Sequence, residues 1–97
     1  MVKNVTTQNV KFSDRFDDQL KDVPDEIKEA FLESFALFLE DQNHPSLRNH
    51  VLKEKFAGYR SIDITGDYRA VFKETKARKQ KVITFHMLGT HEELYGS

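Results

Sequence analysis

Ninety-seven residues, 38% of them apolar and none a cysteine, with a formal charge of −1, point to a single globular domain over residues 1–97 with one modest core. Without cysteine there is neither a disulfide nor a thiolate metal site, which fits a reducing cytoplasm. Residues 1–12 contain no long apolar run, so neither a signal peptide nor a membrane span is expected.

An extended segment is predicted at residues 9–12, followed by Ser13 as a helix cap with Asp14 behind it. Phe16, Leu20 and Val23 then recur at helical spacing. Pro24 breaks that helix and opens a second one at its first position, where Asp25 and Glu26 suit the positive end. Ile27, Phe31, Phe35 and Phe38 form one apolar stripe, and residues 41–45 end the run. The first half therefore reads as a helical hairpin. In the second half the period drops to two, over residues 61–64, 68–73 and 81–88. Thr65, Gly66 and Asp67 make a tight connection between the first two of these, and the polar stretch 74–80 a looser, basic one. Past the last strand, His91 and Tyr95 lie four residues apart on one side of a closing helical turn.

Strand parity predicts two unlike faces. Ile62, Ile64, Tyr68, Ala70, Phe72, Ile83, Phe85 and Met87 face the helices. The opposite face carries Ser61, Asp63, Asp67, Arg69, Val71, Thr84 and His86, so two carboxylates, a guanidinium and an imidazole collect there near His91. Charge is divided as well. Residues 1–44 hold five Lys/Arg against ten Asp/Glu, and residues 45–97 hold ten against six. A positive face on a near-neutral protein attracts a polyanion; ordinary scatter of surface charge is the alternative.

Four stretches, taken together and in order, resemble the RelE/ParE superfamily of small bacterial toxins, in particular its YafQ-like branch of messenger-RNA interferases. They are the helical hairpin, residues 44–52 (HPSLRNHVL), residues 58–72 (GYRSIDITGDYRAVF) and residues 89–95 (GTHEELY). The resemblance implies an α+β fold, with an N-terminal strand and helical hairpin on a curved, mainly antiparallel sheet of about four strands and a short C-terminal turn or helix. It also implies a cytoplasmic toxin of a type II toxin–antitoxin (plasmid stabilisation) system. Such a toxin inhibits translation by cutting messenger RNA on the ribosome without metal or other cofactor. A cognate antitoxin would neutralise it and supply its only link to operator DNA. Residue by residue, His50, Asp67, His91 and Tyr95 match the site of that branch, and Arg69 matches the strand arginine aimed at the scissile phosphate. Asp63 stands where those enzymes carry a further histidine, and Met87 where they carry a basic residue. The sequence pI of 6.4 also departs from a family that is usually strongly basic.

Metal-free RNA cleavage uses the RNA 2′-hydroxyl as nucleophile, with one group to take its proton and another to protonate the leaving 5′-oxygen. His91 and His50 are the candidates for those two roles, in either order. Arg69 is the candidate to offset charge on the phosphorane, and Asp67 to orient an imidazole. Arg48, Lys53, Lys55 and Arg60 flank His50 and would hold the RNA backbone, which positions without reading sequence. Each residue also has a structural reading: His91 as a cap, His50 as a loop residue, Asp67 as a turn former, Arg69 as a cross-strand partner of Asp63 or Asp67, Tyr95 as core. A metal site from Asp63, Asp67, His86 and His91 lacks any recognised local spacing. Two rival functions share the fold: a ParE-like DNA gyrase inhibitor, and an attenuated toxin that acts only by binding its antitoxin.

Overall fold

The computed structural model describes residues 9–96. Residues 1–8, part of the stretch read for a leader, and Ser97 lie outside the described residues. In chain order the elements are β1 (Asn9–Phe12), α1 (Asp14–Asp22), α2 (Asp25–Glu40), β2 (His50–Val51), β3 (Arg60–Asp63), β4 (Tyr68–Ala77), β5 (Gln80–Thr90) and α3 (His91–Tyr95). Single 3-10 turns interrupt the loops at Pro45–Leu47 and Glu54–Phe56.

Ser13 caps α1 as its position predicts, its hydroxyl accepting from the Phe16 backbone N–H at 3.0 Å. Pro24 is the N-cap of α2 rather than its first residue, a one-residue difference from the sequence reading. Both helices lie on one face of a sheet of order β1-β5-β4-β3-β2, antiparallel except for the parallel pair β1–β5. The sheet has five strands rather than about four, because two residues, His50 and Val51, pair with Ser61 and Arg60 at its edge. Among the described residues no helix is long and apolar enough to cross a membrane.

The main core fills the space between helices and sheet with Phe16, Phe31, Phe38, Leu47, Ile62, Ala70, Phe72, Ile83, Phe85 and Leu88. Phe85 is its hub, with ring centroids 5.3 to 6.1 Å from those of Phe12, Phe16, Phe31, Phe35, Phe38 and Phe72. Tilted and edge-on ring pairs of this kind add to the energy of burial itself.

Strand parity holds up to one point. Val71 pairs with Met87 and Phe72 with Phe85, so the ladder shifts there and His86 is the extra residue of a β-bulge. Met87 is thereby turned away from the helices, contrary to the sequence reading. It joins Val71 and Leu94 in a second small core on the opposite face. The bulge is anchored from α1. The Ser13 N–H donates to the Phe85 carbonyl at 2.9 Å and the Ser13 hydroxyl to the His86 carbonyl at 3.0 Å. Gln19 accepts from the Leu88 N–H at 2.8 Å, so the edge of β5 beyond the end of β1 is satisfied by side chains.

The stretch 74–80 is not a loose loop. β4 and β5 stay paired out to Ala77 and Gln80 and turn through Arg78 and Lys79 alone. Residues 75–80 are exposed, so hydrophobic alternation had no burial to report.

Replacing Phe85 by alanine is expected to cost about 3–5 kcal/mol of unfolding free energy, a large share of what a domain this size possesses. Leu32→Ala, at a side chain 62% exposed on α2, is expected to stay within about 0.5 kcal/mol. Urea titration followed by circular dichroism checks both.

Candidate active site

The chain reaches the open end of the sheet three times, and each arrival is held locally. Arg48, at φ 51°, lies in the left-handed region at the end of a 3-10 turn and leads into β2. Arg69 stands on β4 opposite Asp63 of β3. His91 opens α3, which a full capping box fixes: Thr90 accepts from the Glu93 N–H at 3.1 Å and Glu93 accepts from the Thr90 N–H at 2.9 Å. Gly89 lets this short helix fold back on the sheet, since a Cβ there would lie 2.9 Å from Glu93 Oε1. The His91 backbone N–H donates to the Asp67 carbonyl at 3.1 Å, tying α3 to the β3–β4 turn.

Between these arrivals lies a pocket of about 380 Å³ lined by Arg48, His50, Leu52, Lys53, Asp63, Arg69, His91 and Tyr95. A larger cleft of about 430 Å³ opens on the helix side beside Glu33, Leu37 and Thr65 and also touches Asp63, but it has no imidazole or guanidinium in its lining. The imidazoles and guanidiniums therefore gather in the smaller one.

Asp63 holds the floor of the pocket. One carboxylate oxygen is 3.1 Å from Arg69 Nε, and the other is 3.0 Å from Arg48 Nε. Arg69 Nη1 donates further to the carbonyls of Thr65, Gly66 and Tyr68 at 3.1 to 3.3 Å. A rigid guanidinium is thereby fixed in the pocket lining, and its planar fork suits an anion. His50 Nδ1 lies 2.7 Å from the Arg48 carbonyl, which can only accept. The neutral ring therefore carries its proton on Nδ1 and presents a lone pair at Nε2. His91 is exposed and meets Tyr95 edge to face at 4.7 Å. The Tyr95 hydroxyl reaches Ser61 at 3.4 Å.

Of the residues singled out from sequence, His50, Arg69, His91, Tyr95, Arg48 and Lys53 meet in this pocket. Asp67 does not line it; it is exposed in the β3–β4 turn and contributes its backbone carbonyl. Arg60 points the other way, its Nε donating to Asn49 at 2.8 Å. Lys55 lies outside the pocket with its ammonium 5.6 Å from the Phe56 ring centre. Sequence reasoning placed Asp63 on this face and offered it as a cross-strand partner of Arg69, which is what is found; it missed Arg48, which adds a second ion pair from a distant loop.

His86 is a nearby titratable group outside the pocket. Partial burial, and then the charge of Lys73, hold its pKa below the usual 6.5. The native state resists protonating it, so its contribution to stability is intact above pH 6.5 and is lost as pH falls through the lowered value. No cluster of three or more metal-ligand side chains occurs among the described residues.

No family model and no curated protein matches the chain in sequence. Solved structures do match it in shape. The toxin of the E. coli DinJ-YafQ toxin-antitoxin complex superposes with a TM-score of 0.73 at 18% identity, over 92% of this chain and 98% of that one. The YoeB/ParE toxin from Agrobacterium tumefaciens gives 0.70 at 15% identity, over 87% and 99%. The toxin-antitoxin complex RelBE2 from Mycobacterium tuberculosis gives 0.63 at 18% identity, over 89% and 100%. The chain has the RelE/ParE-like toxin fold. At these identities the likeness speaks for the fold, and the α+β architecture expected from sequence is the one observed.

Two measurements check this geometry. Asp63→Ala leaves two guanidiniums unpaired and is expected to cost about 1–3 kcal/mol in urea, whereas Arg48→Ala, an exposed partner, costs under about 1 kcal/mol. Stability of the wild type is expected to fall as pH drops below 6.5, with a slope that His86→Gln reduces; equal slopes would remove His86 from the account.

Proposed function

We propose that this chain is the toxin of a type II toxin–antitoxin pair and cuts messenger RNA at the pocket described above. One observation carries the reading: His50, Arg69 and His91, from β2, β4 and the start of α3, line a single pocket. Two imidazoles and a fixed guanidinium have no structural need to share one pocket.

His50 is the base in this reading, since its tautomer leaves Nε2 free to take the 2′-hydroxyl proton. The 2′-oxygen then attacks the adjacent phosphorus, forming a 2′,3′-cyclic phosphate and breaking the bond to the 5′-oxygen. His91, in its protonated form, donates to that leaving oxygen. The Arg69 guanidinium offsets charge on the phosphorane, and the carbonyls and Asp63 that hold it keep it from reorganising. Lys53 and Arg48 sit at the rim to take flanking phosphates. The ribosome supplies the messenger, an antitoxin covers the toxin, and operator DNA is reached only through that antitoxin. Such a system works in the cytoplasm.

A second reading, an attenuated toxin that acts only by binding its antitoxin, draws on one feature of the same site. Asp63 pairs with both arginines and offsets one of their two charges, leaving the pocket less positive than its residue list suggests.

The separating experiment is tightly controlled expression with mapping of messenger-RNA 3′ ends on ribosomes, beside His91→Ala, His50→Ala and Arg69→Ala. New ends in the wild type, reduced about 10²–10⁴-fold in each variant, are expected. Growth arrest with intact messages and altered DNA supercoiling would replace the nuclease with a gyrase inhibitor. No arrest at all would leave the attenuated reading.

A further inference from the structure

Five rings form a continuous row on the sheet face opposite the helices. His91 meets Tyr95 at 4.7 Å between centroids, Tyr95 meets Phe56 at 5.5 Å, Phe56 meets Tyr59 at 6.4 Å and Tyr59 meets His86 at 5.3 Å. The row starts in the pocket and ends at Lys73, whose ammonium is 5.3 Å from the Tyr59 ring centre, just as Lys55 is seated 5.6 Å from that of Phe56. Beyond Lys73 the β4–β5 ribbon continues to its exposed turn, Arg78 and Lys79.

Charge points along the same line. Residues 73–81 hold five of the ten Lys/Arg of the second half of the chain against one acid, Glu74. That carboxylate is engaged by Gln42 at 2.6 Å and by Lys81 at 3.8 Å. It belongs to the helix side of the ribbon, because Lys73 beside it lies over Tyr59 on the other side. Closing the small core of Val71, Met87 and Leu94 accounts for apolar rings at these positions. It does not account for ammonium groups on two of them or for a ribbon tip of unpaired cations. Arg78 is held at φ 61°, a conformation that glycine or asparagine adopts more readily, so the arginine is not there for the turn.

We propose that this row is a stacking track for single-stranded RNA leaving the pocket, with the ribbon tip gripping the backbone beyond it. Aromatic faces take any base, and cations beside them track the phosphates, so the track adds affinity without sequence preference. The nine residues from Arg69 to Ala77 span about 26 Å of strand, enough for about eight stacked nucleotides at ~3.4 Å each. The proposal rests on the pocket being an RNA site and deepens that reading by giving the substrate strand its path.

The test is fluorescence anisotropy of the full chain with 2′-O-methyl oligouridines, which bind but cannot be cut, about four and about twelve nucleotides long, over a range of salt. The longer probe is expected to bind more tightly to the wild type. Arg78→Asn/Lys79→Gln should lower its log Kd against log salt slope by about 1.4, about 0.7 per lost phosphate contact, and leave the short probe unaffected. Tyr59→Ala should weaken the longer probe roughly tenfold, with Tyr59→Phe restoring it. An unchanged melting temperature in Arg78→Asn/Lys79→Gln shows that its loss is one of binding. Equal affinity for both lengths, an unaltered slope in the tip variant, or tighter binding of duplex RNA or anionic vesicles would overturn the track. If the probes behave as expected and messages stay whole in cells, the track stands and the nuclease reading falls. If messages are cut at unchanged rates by the tip and Tyr59 variants, the nuclease stands alone.

Discussion

The one-residue offset between β4 and β5 is the constraint on which the rest of this molecule depends. With Val71 opposite Met87 and Phe72 opposite Phe85, His86 is left over, and the side chains of β5 change face across it. Phe85 and Leu88, three apart, can then both enter the core beneath the helices, which strict alternation forbids. Met87 goes to the other side and, with Val71, gives Leu94 of α3 something to pack on. A five-residue helix has no stability of its own. His91 and Tyr95 are therefore held in place by a bulge several residues upstream, and by Ser13 and Gln19, which bind the backbone around it.

What the sequence disclosed follows from where burial is one-sided. The helices were legible because Phe16, Phe31 and Phe38 recur on the face that meets the sheet, and because Ser13 caps by a local bond. The strands were legible while one face was buried and the other was not. Alternation fails as a guide at the two places where that condition lapses. At Met87 both faces are buried, so an apolar residue carries no information about side. Along residues 75–80 neither face is buried, so a paired ribbon looks like a loop. The edge strand His50–Val51 is too short for any period to show.

The site divides along similar lines. His50, Arg69 and His91 were legible as types at suggestive positions, but their convergence depends on β2 and α3 reaching one end of the sheet, and strand parity says nothing of that. Asp63 could be placed on the right face, yet its partner Arg48 comes from a loop whose left-handed turn no spacing predicts. The consequence is electrostatic. Two of the pocket's three guanidinium and ammonium groups are bound to one carboxylate, so the pocket gains rigidity and gives up part of its field. Arg69 is positioned before any substrate arrives, which is the condition for a cation to act on a transition state at low cost.

This also reconciles a net charge of −1 with the proposed interface for a polyanion. The acids of the first half lie mainly on α1 and α2, which cover one face of the sheet, whereas the pocket and ring row occupy the other and the basic turn extends from its edge. At physiological ionic strength exposed charges are largely screened beyond about 8 Å, so opposite sides of even a thin domain act as separate electrostatic surfaces. The overall charge governs the approach from a distance and gives this chain little steering toward nucleic acid. What remains is short-range: a fixed guanidinium, a histidine of defined tautomer, and rings with cations seated on them. Such a surface holds a strand already delivered to it better than it searches for one, which is what the proposed cleavage of messenger presented by a ribosome would require.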